Sequence, residues 1–181
     1  MWCVVYAGEG REIEVEEFIK GLLPQDAYMR CFHLVRHMAY KNHGSVRHMA
    51  RACLPGYVFI ETDTPGLVQE ALEPTSRNLL FSGRTHVSTL NEEDEELFRL
   101  ITDKDGRICL SVARVCGKDS SGKKKVEFLS GPLRKVSDRV THIDLHKRFA
   151  RIGGAMDGKG SLWLGFRLET EEIWDGGDGH C

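Results

Sequence analysis

Eight basic side chains fall within 18 positions: Arg134, Lys135, Arg139, His142, His146, Lys147, Arg148 and Arg151. The chemistry they offer is cation against phosphate. Binding a phosphodiester backbone needs positive charges repeated along one surface, and the arginine fork can also read base edges bidentately. Structured RNA is read mainly through backbone and shape, at hairpins, bulges and loops. A solvated surface would use the same residues, but the local balance favours RNA. Residues 131–167 hold eight Lys and Arg against three Asp and Glu, residues 1–110 hold 12 against 17, and residues 168–181 hold none against five. A basic segment between acidic ones suggests separate electrostatic tasks.

A second basic group, Lys41, His43, Arg47, His48 and Arg51, surrounds the turn signal Asn42-His43-Gly44-Ser45. On a projecting hairpin these side chains suit the phosphates of a nucleic-acid strand, with Arg77 and Arg84 joining them. A solvated charged face is the plainer use of the same residues.

Catalytic and metal chemistry find little support. The six cysteines (3, 31, 53, 109, 116 and 181) form no C-x-x-C pair and read as buried or incidental thiols in a reducing compartment. His33 and His37 have the spacing of two zinc ligands on one helix face, but their surroundings suggest a strand, where four residues span ~13 Å. Gly8-Glu9-Gly10 precedes a helix but lacks the third glycine and the lysine of a phosphate loop. No nucleophile–base grouping is visible. A protein that acts by binding, with no cofactor and no metal, is expected.

The elements that must position these groups follow from periodicity. Trp2 to Ala7 reads as a strand, Arg11 to Leu23 as a helix ended by Pro24, and Tyr28 to Tyr40 as one long strand. Val46 to Cys53 returns from the hairpin turn, and Tyr57 to Thr62 is a central strand. Thr64-Pro65 opens a second helix to Leu72, Leu79 to Val87 is a strand region, and Asn91 caps a third helix rich in acid in its first turn. The polar tract from Gly117 to Lys125 reads as a connector. Beyond it, Val126–Leu129, Arg139–Ile143, Phe149–Gly153, Ser161–Phe166 and Glu171–Trp174 are short, evenly spaced strands, the pattern of a small β-barrel. The expectation is an α+β domain over 1–108 with a mainly antiparallel sheet, a linker over 109–125, a barrel over 126–174 and a disordered tail over 175–181. With 181 residues, 41% of them apolar, the chain can bury such cores. It contains no run of ~20 apolar residues that would suit a membrane span and starts without a basic leader, so cytoplasmic residence is expected.

Three motifs in fixed order carry a family resemblance: Trp2-Cys3-Val4-Val5-Tyr6, then Leu54-Pro55-Gly56-Tyr57-Val58-Phe59, then Gly131-Pro132-Leu133 opening the last β segment. Together they resemble the NusG family of transcription elongation factors over residues 2–174. The run Ile143-Asp144-Leu145-His146-Lys147-Arg148-Phe149-Ala150 resembles the specialised LoaP subfamily within it. The resemblance implies a NusG-like N-terminal domain followed by a KOW barrel. It implies an apolar concavity that binds the clamp of RNA polymerase, formed here by Trp2, Tyr6, Leu54 and Tyr57 with Cys53 beside them. Core packing is the competing use of Trp2, Leu54 and Tyr57.

On the same resemblance the chain is expected to be a monomeric antitermination factor that promotes read-through of terminators in specific operons. Its partners would be RNA polymerase, a nascent RNA hairpin held by the basic barrel, and non-template DNA as a candidate contact, with no membrane. The loop Met156-Asp157-Gly158-Lys159-Gly160 departs from the family, where a Phe followed by Gly-Arg contacts the ribosome or a termination factor. That departure favours a dedicated role over the alternatives, a general NusG factor coupling polymerase to ribosome or termination factor, or a ribosome-associated KOW protein.

Overall fold

The computed structural model describes residues 1–42, 45–74, 87–118, 120, 122–155, 160–171 and 173–174. In chain order its elements are β1 (Trp2–Tyr6), α1 (Glu12–Leu22), β2 (Arg30–His33), β3 (Val35–Asn42), β4 (Ser45–Ala52), β5 (Tyr57–Glu61), α2 (Pro65–Leu72), β6 (Val87–Thr89), α3 (Glu92–Ile101), β7 (Arg107–Ile108), β8 (Ser111–Lys118), β9 (Lys124–Ser130), α4 (Pro132–Lys135), β10 (Val140–Asp144), β11 (Phe149–Ala155), β12 (Gly160–Leu168) and β13 (Ile173–Trp174). The class is α+β, as expected. Of the expected strand over residues 79–87, Val87 is described and opens β6, while residues 79–86 and the tail over 175–181 lie outside the described residues. Two compact units result, Met1–Leu34 with Ala52–Glu95, and Val35–Arg51 with Glu96–Cys181.

The first unit is an antiparallel sheet in the order β2-β5-β1-β6. Side chains alternate across it. Cys3, Val5, Cys31, Val58 and Ile60 form one buried cluster with Val15 and Ile19 of α1 and Val68 and Leu72 of α2. Both helices present an apolar stripe at helical spacing, so each covers the sheet with one face. Trp2, Phe32 and Phe59 point the other way. The Trp2 ring stands edge-on to Phe32 at 5.1 Å, and Phe32 stacks on Phe59 at 6.0 Å. The Arg30 guanidinium caps Phe32 at 5.1 Å and bonds Glu61 at 2.5 Å, which keeps that carboxylate paired inside the protein.

Tyr28 to Tyr40 is not one strand. It breaks at Leu34, whose carbonyl accepts the Cys53 N–H at 2.7 Å, so β2 and β3 join different sheets. Buried Cys31 shows the inert character expected of the thiols: burial, with the Glu16 charge adding, pushes its pKa up to about 12.

The second unit holds a five-stranded sheet, β10-β11-β12-β8-β9, antiparallel except where β12 runs parallel to β8. Ala113, Leu133, Ala150, Ile152, Leu162, Leu164 and Phe166 are buried. A four-stranded sheet, β13-β4-β3-β7, belongs to the same unit. Two expectations change here. The 109–125 stretch is not a connector: Ser111 and Ala113 are buried, and the strand pairs with β9 from Val112↔Ser130 to Lys118↔Lys124. Ile173 and Trp174 pair with Val46 and Arg47 of β4, not with the other C-terminal strands. The β3–β4 hairpin groups with the C-terminal strands because Gly165 has no side chain. A Cβ there would collide with the His37 carbonyl oxygen and lie 2.8 Å from Met38 Cα.

The Gly131-Pro132-Leu133 motif is a crossing point. Gly131 has φ +82°, and a Cβ on it would lie 2.7 Å from Ser111 Cα and 3.0 Å from the Leu110 carbonyl oxygen. The next turn seats fully buried Leu133, whose N–H donates to Ser111 Oγ at 2.9 Å. Gly131→Ala meets both the left-handed backbone penalty and a backbone clash, so it should destabilise the chain by more than about 2 kcal/mol in urea unfolding.

Candidate functional site

The Pro55-Gly56 corner is fixed by backbone bonds. Tyr57 N–H donates to the Leu54 carbonyl at 3.3 Å and Ala7 N–H to the Gly56 carbonyl at 2.6 Å. Gly56 has φ +86°, and a Cβ there would lie 2.7 Å from Tyr6 Cε2. Only glycine lets Tyr6 lie over the corner. Register places Tyr6 opposite Tyr57 on adjacent strands, with ring centroids 5.2 Å apart. The Gly56 N–H donates to Glu12 Oε1 at 2.6 Å. Burial pushes the Glu12 carboxyl up, but the N–H groups of Gly56, Glu12 and Gly10 outweigh it and hold the pKa below the ordinary value.

Of the five side chains expected to form an apolar recognition surface, three are accessible to solvent. Tyr6 is 47% exposed, and Leu54 and Tyr57 are half-buried. Trp2 and Cys53 are corrected to core positions, 0% and 5% exposed. Trp2 faces the Phe32–Phe59 layer because alternation along β1 sends Cys3 and Val5 to the helix-covered side and Trp2 to the other.

The basic hairpin is partly described. Arg47 and Arg51 are exposed, and His48 is half-buried with its ring stacked on His37 at 4.5 Å. Lys41 lies on β3. His43, Arg77 and Arg84 lie outside the described residues, as do positions 156–159 of the departing loop. His33 and His37 fall in different sheets, and His33 Nδ1 meets Glu16 at 2.6 Å. Among the described residues no cluster of three or more His, Cys, Asp and Glu could hold a metal ion, and no helix is long and apolar enough to cross a membrane.

The C-terminal basic group separates into parts. A register shift between Val140 and His142 inserts Thr141 as an extra residue on β10. A bulge of this kind re-aims the next side chain, and His142 then stands opposite Arg151, which stands opposite Trp163 on β12. Their strand neighbours Ala150, Ile152, Leu162 and Leu164 are buried, so the three form a row across the opposite face. The Arg151 guanidinium lies 5.8 Å from the Trp163 ring and its Nε donates to Thr141 Oγ1 at 3.1 Å. His142 and Phe149 meet the same ring edge-on at 6.2 and 4.6 Å, and Lys147 Nζ sits 5.9 Å from Phe149. His142, Lys147 and Arg151 are exposed. Asp144, an acid beside this face, already accepts the N–H groups of His146 and Lys147 at 2.9 and 2.8 Å. The Lys147 N–H, helped by that of His146, holds its pKa down.

Arg148 is the correction. It is 6% exposed, with a positive φ of 57°, and its guanidinium pairs with both carboxylate oxygens of Glu171, Nε lying 3.0 and 2.9 Å away. A buried cation needs such a partner, so Arg148 presents no charge to a ligand. Arg134 and Lys135 are exposed on α4 and donate to the carbonyls of Leu129 and Leu100. Arg139 is half-buried and His146 exposed. Trp163 and Phe149 were not among the expected site residues. Alternation could have found Trp163, the outward position between Leu162 and Leu164.

No family model matches the chain. No curated protein matches it. Two solved structures titled as the MjSpt4:Spt5 complex, conformations B and A, align with it. The first shares 16% identity over 91% of this chain and 92% of that one, with a TM-score of 0.35. The second shares 15% over 92% and 100%, with a TM-score of 0.34. Neither superposition is close enough to bear on the fold or the role of this chain.

Arg148→Gln should cost about 3–5 kcal/mol, because it strands Glu171 inside the protein. Arg151→Gln at the exposed row should stay within about 0.5 kcal/mol. Urea unfolding of the two variants measures this directly. Glu12 supplies stability that is fully present above its unfolded value, ~4.3, and is lost as pH falls through its lower folded value. Glu12→Gln should therefore cost about 1–2 kcal/mol at pH 7, because the Gly56 N–H loses a charged acceptor. The deficit should shrink towards zero in unfolding curves taken below about pH 4.

Proposed function

We propose that this chain is a transcription elongation factor of the NusG type that acts by binding, without covalent chemistry. Its N-terminal unit holds RNA polymerase through the Pro55-Gly56 corner. Its C-terminal unit, read as a KOW barrel, captures a nascent RNA hairpin and so directs antitermination to particular operons in the manner of the LoaP subfamily. The hairpin arginines Arg47 and Arg51 are candidate contacts to non-template DNA.

The observation that carries the reading is the Tyr6–Tyr57 pair. Both residues belong to the motifs that resemble the family, and both remain partly exposed where Trp2 of the same motif turns inward. Aromatic side chains held at a rigid corner concentrate interface energy, and Glu12, Gly56 and Ala7 hold this corner. The basic excess of residues 131–167 supports the RNA assignment, since long-range phosphate attraction follows net charge.

Pull-down with RNA polymerase tests the first half. Tyr57→Ala combined with Leu54→Ala should reduce capture at least about tenfold, with circular dichroism unchanged. Leu67→Ala, at a 53% exposed position on α2, which follows the end of β5 opposite the corner, should bind like the parent. Equal capture by the double variant removes the corner from the polymerase interface.

A further inference from the structure

We infer that the row His142–Arg151–Trp163 with Phe149 is a stacking platform for unpaired RNA bases, so that the C-terminal unit recognises a loop or bulge and not the duplex stem. The inference rests on the reading of that unit as RNA-binding and names which part of the RNA it takes.

Three observations lead there. First, cation and ring are interleaved: Arg151 sits over Trp163 at 5.8 Å and Lys147 over Phe149 at 5.9 Å. A patch meant only for phosphates needs no rings. A patch meant only for apolar contact would not carry exposed His142, Arg151 and Lys147. A base offers a π-face and a phosphate beside it, and aromatic and cationic side chains match the two in alternation. Second, the Trp163 ring is held in place. Phe149 and His142 abut it edge-on at interplanar angles of 81° and 82°, which fixes its orientation before a ligand arrives. Third, the turn that carries Lys147 is ordered: Asp144 Oδ1 accepts the backbone N–H groups of His146 and Lys147.

Paired bases cannot use such a surface. In an A-form stem the faces are stacked on one another, and the deep major groove does not admit side chains. An unpaired nucleotide can lay its base on Trp163 while Arg151 and Lys147 meet the flanking phosphates. The bulge at Thr141 serves this geometry by turning His142 to the same face as Arg151.

The test uses the full chain and two RNAs, a stem–loop with unpaired purines and a fully paired duplex of the same stem. Fluorescence anisotropy should show the stem–loop bound at least about tenfold more tightly than the duplex. Trp163→Leu should remove that difference, whereas Trp163→Phe, which keeps a ring, should retain most of it. Quenching of tryptophan emission by the stem–loop should vanish in Trp163→Phe although binding persists, a signature that a structural role would not produce. If Trp163→Leu binds the stem–loop like the parent while Arg151→Glu weakens it, the platform is wrong and the charge-based RNA reading stands. If neither RNA binds the parent, both readings fall.

Discussion

A charge taken out of water must be neutralised where it lies, and that constraint organises the C-terminal unit. Arg148 sits in the turn between β10 and β11, and its guanidinium is buried against Glu171 beyond the end of β12. Glu171 also accepts the Leu168 N–H at 2.9 Å, and the Arg148 carbonyl accepts the Phe166 N–H at 3.0 Å. One ion pair thereby ties the β10–β11 turn to the last turn of β12. With that shared end of the three strands held, the register that aligns His142, Arg151 and Trp163 resists slipping. A slip of one residue would send that row into the core and the core outward. The arginine that gives up its charge to the interior thus keeps its neighbours on the surface.

The N-terminal unit solves a similar problem with a carboxylate. Glu12 is 8% exposed and receives the Gly56 N–H, which fixes the corner beneath Tyr6. In both units an ionised side chain inside the structure holds a turn, and a strand that adjoins the turn carries an aromatic side chain of the candidate surface, Tyr57 in one and Phe149 in the other. The division of labour proposed above follows from chemistry. One corner is aromatic and carries no exposed cation among Tyr6, Leu54 and Tyr57. The other face interleaves rings with His142, Lys147 and Arg151.

Much of this was legible in residue order. Trp2–Ala7 and Tyr57–Thr62 read as strands because β-branched and aromatic residues dominate them, and Arg11–Leu23 as a helix ended by Pro24. The Pro55-Gly56 corner was visible from its residue types alone. What stayed hidden depends on distant partners. Nothing near Arg148 shows that Glu171, 23 residues on, will bury it. The Gly117–Lys125 tract has connector composition, yet pairing puts Gly117 and Lys118 in β8 and Lys124 and Lys125 in β9. The break at Leu34 depends on Cys53 reaching its carbonyl. The Trp163 row needed both strand alternation and the Thr141 bulge, and the bulge is a property of pairing, not of composition.

The central claim is that nucleic acid meets this chain at one face of the β10–β11–β12 sheet. The most direct measurement is a two-dimensional proton–nitrogen NMR titration of the full chain with an RNA stem–loop. The account predicts that the Trp163 indole N–H and the backbone amides of His142 and Arg151 shift progressively and saturate together, while the Trp2 indole stays in place. Saturating binding that leaves the Trp163 indole unmoved and shifts amides elsewhere would contradict it.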